Sequence, residues 1–186
     1  MLTPPVDDKD HLVGGPRALV TLVEFGDYEC RFCGRAHPIV KDTLWRMPDE
    51  ILFAFRHFPL AQAHPHALAA ALAAEAAGAQ GQFWLMHDVL YANQDALEHD
   101  DLIGYAEDLA LDVDRFVTDV ERGSYLQKVR GDFRAGVRSG VNGTPTFFID
   151  GQRFDGNWGD GSLTLKLAGL VRERAGGGLR PENPAQ

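Results

Sequence analysis

The chain has 186 residues, 45% of them apolar and 24% charged. That is the make-up of a globular protein long enough to bury a core, and it excludes a disordered tail, a collagen-like rod and a small disulfide scaffold. Eighteen Lys and Arg against 27 Asp and Glu give a formal net charge of −9, which disfavours nucleic acid and anionic lipid as partners, since both call for a dense positive patch.

Residues 1–16 lack the basic start and the apolar stretch of roughly 7–15 residues that a secretory signal needs. The Ala67–Ala77 run carries Glu75 and falls far short of the ~20 residues that span a bilayer. The expectation is therefore a cytoplasmic protein with flexible residues 1–16 and no membrane segment. Ala18–Phe25 is a near-continuous, β-branched apolar run, the pattern of a strand covered on both faces. Gly26–Glu29 breaks it. From Cys30 the period becomes helical, with Cys33, His37, Val40, Leu44 and Met47 recurring on one side. Pro38 should kink this helix by removing the bond to the Gly34 carbonyl, and Pro48 ends it. Ile51–Phe58 reads as a second strand, stopped by Pro59. Strand, helix, strand is a βαβ unit with parallel strands.

Residues 64–139 are helical throughout. Ala67–Ala77 has the highest helix propensity in the chain, and Phe83, Met86 and Leu90 share a face. Asp100 or Asp101 is placed to cap a helix carrying Leu102, Tyr105, Ala106 and Leu109, and Asp112 to cap the next. Tyr125, Val129, Phe133 and Val137 form the last apolar stripe. Sheet character returns over Thr146–Phe154, with Asp150–Gly151 as a hairpin signal. A final helix runs from about Ser162 to Arg174, and the Gly- and Pro-rich stretch 176–186 reads as a flexible end.

The only two cysteines, Cys30 and Cys33, are three apart. A bridge across so short a loop constrains the unfolded chain little, so the pair points to chemistry. A C-x-x-C beside a βαβ unit is a redox motif. At a helix N-terminus the free backbone N–H groups and the macrodipole stabilise a thiolate, and the thiolate is the nucleophile. Cys30 is thus the exposed attacking sulfur and Cys33 the shielded one that resolves a mixed disulfide. Arg31 adds a cation and Phe32 an apolar ring, whereas Asp27 and Glu29 oppose ionisation. Glu24, near the end of a buried strand, should have a raised pKa and could take the Cys33 proton; the plainer reading is an acid at a solvent-facing strand end. Thr144–Pro145 precedes the third strand, where a proline is tolerated and a cis bond possible. His37, His57, His64, His66 and His87 read as surface or polar-core residues. Two other uses of the cysteines stand beside the redox reading. One is a zinc site on Cys30, Cys33 and His37 with a fourth ligand from His57, His64, His66 or an acid. The other is an inert core pair.

Val23-Glu24-Phe25-Gly26-Asp27-Tyr28-Glu29-Cys30-Arg31-Phe32-Cys33 resembles the active-site segment of DsbA-like thiol–disulfide oxidoreductases, a branch of the thioredoxin superfamily. Phe55–Leu60 resembles that family's second strand and its exit, and Gly143-Thr144-Pro145-Thr146-Phe147 its cis-proline loop. The resemblance implies an α/β thioredoxin-like fold (17–63 and 140–175) with a helical domain (64–139) inserted between the second and third strands. It implies a cis Pro145 against the cysteines and a Thr144 backbone open to an extended substrate, with Arg31 and Phe32 also meeting substrate. It places Glu24 at the family's buried acid. Arg31–Phe32 departs from the Pro-His or Pro-Tyr common in periplasmic members, and a cytosolic poise near −220 to −320 mV would set such a pair to reduce or isomerise disulfides. The function expected is disulfide exchange with protein thiols and disulfides, recycled by glutathione or a redox partner, with no cofactor and no metal. The alternatives are a glutathione-dependent isomerase or transferase of kappa-class type, and a non-catalytic zinc- or peptide-binding module.

Overall fold

The computed structural model describes residues 1–15 and 17–176; of the stretch read as a flexible end, 177–186 lies outside the described residues. A five-stranded sheet forms the centre. Its strands are β1 (His11–Val13), β2 (Val20–Gly26), β3 (Ile51–His57), β4 (Thr146–Ile149) and β5 (Gln152–Phe154), in the spatial order β1-β3-β2-β4-β5. β2 and β3 are parallel, joined through helix α1 (Arg31–Arg46); the remaining pairs are antiparallel. Five helices lie between β3 and β4: α2 (Ala67–Gly78), α3 (Phe83–Ala92), α4 (His99–Asp108), α5 (Val113–Glu121) and α6 (Leu126–Arg138). After β5 the chain ends, within the described residues, on α7 (Ser162–Gly176).

Side chains alternate across the sheet, as the pleat demands. Leu22, Phe53, Phe55, Phe147 and Ile149 join the core under α1, α3 and α7. Val23, Phe25, Ala54 and Phe148 face the other way, into a smaller core with Ala135 of α6 and with Phe58, whose ring stacks on Phe133 at 4.4 Å. β2 and β3 are thus covered on both faces, which is why they read as unbroken apolar runs. Asp150 and Gly151 both have positive φ, 48° and 77°, the geometry of the two-residue turn expected between β4 and β5.

Three local expectations change. Residues 1–16 include an edge strand: β1 pairs with β3 in the register His11↔Phe55. The buried Arg56 guanidinium holds this segment, donating to both carboxylate oxygens of Asp10 at 2.7 and 2.8 Å and to the carbonyls of Pro4 and Pro5. Three residues are too few to show a period, and the tether comes from a distant strand. The cap of α4 is Glu98, in a capping box with Asp101, rather than Asp100 or Asp101. Val137 is exposed, so the apolar stripe of α6 stops short of it.

Candidate active site

β2 delivers its last residues to the N-terminus of α1 through a short turn. Cys30 is the N-cap of α1, with extended backbone angles, and its carbonyl accepts from the Gly34 N–H at 3.1 Å. No side chain caps this helix, so the free N–H groups of its first turn face the Cys30 sulfur. Both cysteines are free thiols. The Cys30 thiol donates to the Thr144 carbonyl at 3.4 Å, and the Thr144–Pro145 bond is cis. The loop before β4 therefore lies against the nucleophile.

The two sulfurs differ sharply. A hydrogen bond from the Cys33 thiol lowers the Cys30 pKa; burial opposes this, and the Thr144 side chain and the backbone N–H groups of Cys33 and Phe32 add to it, giving about 5. Burial pushes Cys33 well above its ordinary value, and its contact with Cys30 and the charge of Glu24 push it further. Glu24 is fully buried on β2, and desolvation, then the Cys30 charge, raise it to about 8. Its Oε1 has no hydrogen-bond partner among the described residues.

Some sequence expectations need correction here. Cys30 is only 4% exposed: its sulfur lies against the Thr144 carbonyl, and Gln94, two residues past α3, holds its backbone carbonyl. The Arg31 guanidinium does not approach the sulfur; it reaches out to Asp95, 3.5 Å away, with both side chains in solvent. Phe32 is 57% exposed, its ring under the Arg35 guanidinium at 4.8 Å. These two residues border an open cavity with Ile39, Asn157 and Trp158. Asp27 and Glu29 are each matched by a histidine. His64 Nδ1 lies 2.8 Å from Asp27 and His66 Nδ1 lies 3.0 Å from Glu29. Burial lowers His64, but Asp27 outweighs it and the net shift is upward; the Glu29 hydrogen bond raises His66.

Sequence reasoning missed the residues that the helical segment sends to this site. Gln94 Nε2 donates to the carbonyls of Tyr28 and Cys30 at 2.7 and 2.9 Å. Gly34 leaves room for it, since a Cβ there would meet Gln94 Oε1 at 2.0 Å. Tyr91 packs over His37, ring centres 4.9 Å apart. Neither residue carries a sequence signal, because the contacts join positions far apart in the chain.

A metal-like grouping lies elsewhere. The ligating atoms of His11, His57 and Glu75 sit within 4.8 Å of one another. Both imidazoles already hydrogen-bond Glu75 Oε1, at 2.8 and 2.9 Å, and Lys128 Nζ stands 3.9 Å from the same oxygen. A cation there would have to break two hydrogen bonds and displace an ammonium group. His37 hydrogen-bonds Asp88 rather than turning to the cysteines.

The family model described as thioredoxin matches residues 7–164. A thioredoxin-like oxidoreductase from Silicibacter pomeroyi is 25% identical, with a TM-score of 0.77 over 93% of this chain and 95% of that one. Oxidised BdbD from Bacillus subtilis is 20% identical, with a TM-score of 0.79 over 92% and 98%. A curated relative from Salinispora arenicola, named Na(+)/H(+) antiporter NhaA 1, is 44% identical over 180 residues, which is 96% of this chain and 27% of that protein. The chain thus spans about a quarter of the length of the curated relatives it matches. Fold, motif placement and family match agree: the chain belongs to the thioredoxin family.

Proposed function

We propose that the protein exchanges disulfides with protein substrates, with Cys30 as nucleophile, Cys33 as resolving thiol and Glu24 as proton acceptor. The observation that carries this is the placement of the pair: Cys30 at the uncapped N-terminus of α1 against the Thr144 carbonyl, with Cys33 buried one turn inside and Glu24 buried on β2. The pKa values diverge accordingly, Cys30 to about 5, Glu24 to about 8 and Cys33 well above its ordinary value. At neutral pH the first sulfur is an anion and the second keeps its proton, as sequential attack requires.

The Cys30 thiolate attacks one sulfur of a substrate disulfide. A Cys30–substrate bond forms, the substrate S–S bond breaks, and the other substrate sulfur leaves as a thiolate. Cys30 has then lost its charge, and with it the second cause of the raised Glu24 pKa. The Glu24 pKa then falls, its own proton passes to solvent, and the carboxylate, the form able to accept a proton, is present when Cys33 must lose its own. The Cys33 thiolate attacks Cys30, the Cys30–Cys33 disulfide forms, and the second substrate thiolate departs. The substrate gains two electrons and the pair gives up two. Glutathione or a dithiol partner restores the pair, with no further cofactor. In this reading the Thr144 backbone beside Pro145 pairs with an extended substrate, and the exposed Phe32 gives it an apolar surface. So acidic a nucleophile stabilises the reduced pair and makes its disulfide the more oxidising form. We place the protein in the cytoplasm, where the glutathione poise would hold the pair reduced and set it to isomerise or reduce substrate disulfides.

Insulin reduction with glutathione as electron source tests the reading. Wild type should turn over and Cys30→Ser should lose about 10³-fold or more, as expected when an essential nucleophile is removed. Iodoacetamide labelling of Cys30 should reach half its maximal rate near pH 5. Equal turnover by both proteins, or labelling that begins only above pH 8, would overturn it.

A further inference from the structure

The helical segment supplies an unpartnered buried hydroxyl to the cysteine pocket. Tyr91, near the end of α3, is buried, and its Oη has no hydrogen-bond partner among the described residues. Its neighbour Tyr28, 4.9 Å away between ring centres, is satisfied by His87 Nδ1 at 3.0 Å. A buried polar atom left unpaired is costly and calls for a reason.

Its position supplies one. The Tyr91 ring packs on His37, one turn beyond Cys33 on α1, so the side chain lies along that face of the helix. Its hydroxyl ends at Gly26: a Cβ built there would stand 2.6 Å from Tyr91 Oη and 2.4 Å from the Phe55 ring. Gly26 is two residues after Glu24 on β2, and positions i and i+2 of a strand face the same side. That side is the one carrying Leu22, which shares its core cluster with Cys30, Cys33 and Tyr91. Glycine at 26 thus opens a slot for a hydroxyl from the helical segment, next to Asp27, whose backbone N–H meets the Cys33 sulfur.

We propose that the Tyr91 hydroxyl donates a hydrogen bond to the sulfur anion formed at Cys33 when Glu24 takes its proton, making Tyr91 a positioning residue for the resolving step. The proposal rests on the exchange chemistry above. Burial, then the charge of Cys33, drives the Tyr91 pKa well above its ordinary value, so the group stays protonated and acts only as a donor. Tyr91 is absent from the groups that set the pKa of either cysteine in the reduced protein, so the bond proposed is one made only once the Cys33 anion forms, and capture of substrate should not depend on it.

Tyr91→Phe removes one oxygen and keeps the packing. Two steps are read separately. The first is iodoacetamide labelling of Cys30. The second is release of a chromogenic thiol from a mixed disulfide preformed on Cys30, followed from pH 6 to 10. In the variant, labelling should stay within about twofold of wild type. Release should slow about fivefold at pH 7, the thiolate fraction falling while its nucleophilicity partly compensates, and the release profile should move to higher pH. Thermal stability should not drop, since an unsatisfied group has been deleted. Gly26→Ala, which closes the slot, should slow release in the same way. Normal release by Tyr91→Phe, or parallel slowing of labelling and release, overturns the proposal while leaving the exchange reading intact. If wild type releases no thiol from the mixed disulfide, both fall.

Discussion

Two buried glutamates lie in the core around the sheet, and the structure treats them in opposite ways. Glu24 on β2 meets apolar side chains and a sulfur anion, and its pKa rises to about 8. Glu75 on α2 is buried nearly as deeply, and burial pushes it up too. His11 and His57 hydrogen-bond its Oε1, and they outweigh burial so that its pKa falls well below the usual carboxylate range. Lys128 joins the same oxygen and ties it to Asp132 through contacts of 2.7 and 2.8 Å. Depth alone therefore does not set the charge of a carboxylate; the donors around it do. Glu75 joins the edge strand, β3 and two helices, a structural task. Glu24 is held ready to change its charge, which is what a proton acceptor needs.

The sharpest break in this contrast should come from Glu75→Gln. It leaves two imidazoles and an ammonium around a neutral amide oxygen, and removing one member of a buried charged cluster costs about 3–5 kcal/mol. The loss should be full above the ordinary carboxylate pKa. It should shrink as pH falls through the acid range, because a group with a depressed folded-state pKa stabilises only while ionised. Urea unfolding from pH 3 to 8 would show this; a loss independent of pH would mean that shape, not charge, matters at Glu75.

Glu24→Gln should act with the opposite sign. A carboxyl whose folded-state pKa is raised destabilises the fold progressively from pH 4.5 to 8, as the unfolded chain ionises and the folded one does not. With 1.36 kcal/mol per unit, the wild type should lose on the order of 3 kcal/mol relative to the variant between pH 4.5 and 7. Burying the Gln amide shifts the absolute values, so the pH slope of reduced protein is the measurement. A slope equal to that of wild type would place the Glu24 pKa in the normal range and remove it from the resolving step.

What the sequence revealed follows the same division between local and distant causes. Cys30 at a helix entry, the β-branched run of β2 and the Asp150–Gly151 turn are set by neighbours within a few residues, and each is readable from spacing. Glu75 sits in an alanine run that speaks only for helix propensity; its role comes from His11 and His57, brought in by two strands. Gln94 holds the Cys30 carbonyl from 64 residues away, and the Tyr91 hydroxyl finds room only because residue 26 is glycine. The charges of Asp27 and Glu29 were legible, but His64 and His66, which balance them, become their neighbours only when α2 docks. The cover over Cys30 has the same origin, so a local reading left that sulfur exposed.

The smallest expected effect carries the donor argument from carboxylates to sulfur. The largest single influence lowering the Cys30 pKa is the hydrogen bond from the Cys33 thiol. Cys33→Ser replaces an S–H donor with an O–H donor, and Cys33→Ala removes the donor while keeping the site apolar. Thiolate absorbance titrated from pH 3 to 10 should therefore place Cys30 near pH 5 in the Ser variant and about one to two units higher in the Ala variant, where burial acts with less to oppose it. If both variants titrate together near pH 5, the helix terminus alone holds the anion, and the parallel with Glu75 fails at the cysteines. If both titrate near 9, the donors must include more of the sulfur at Cys33 than its proton.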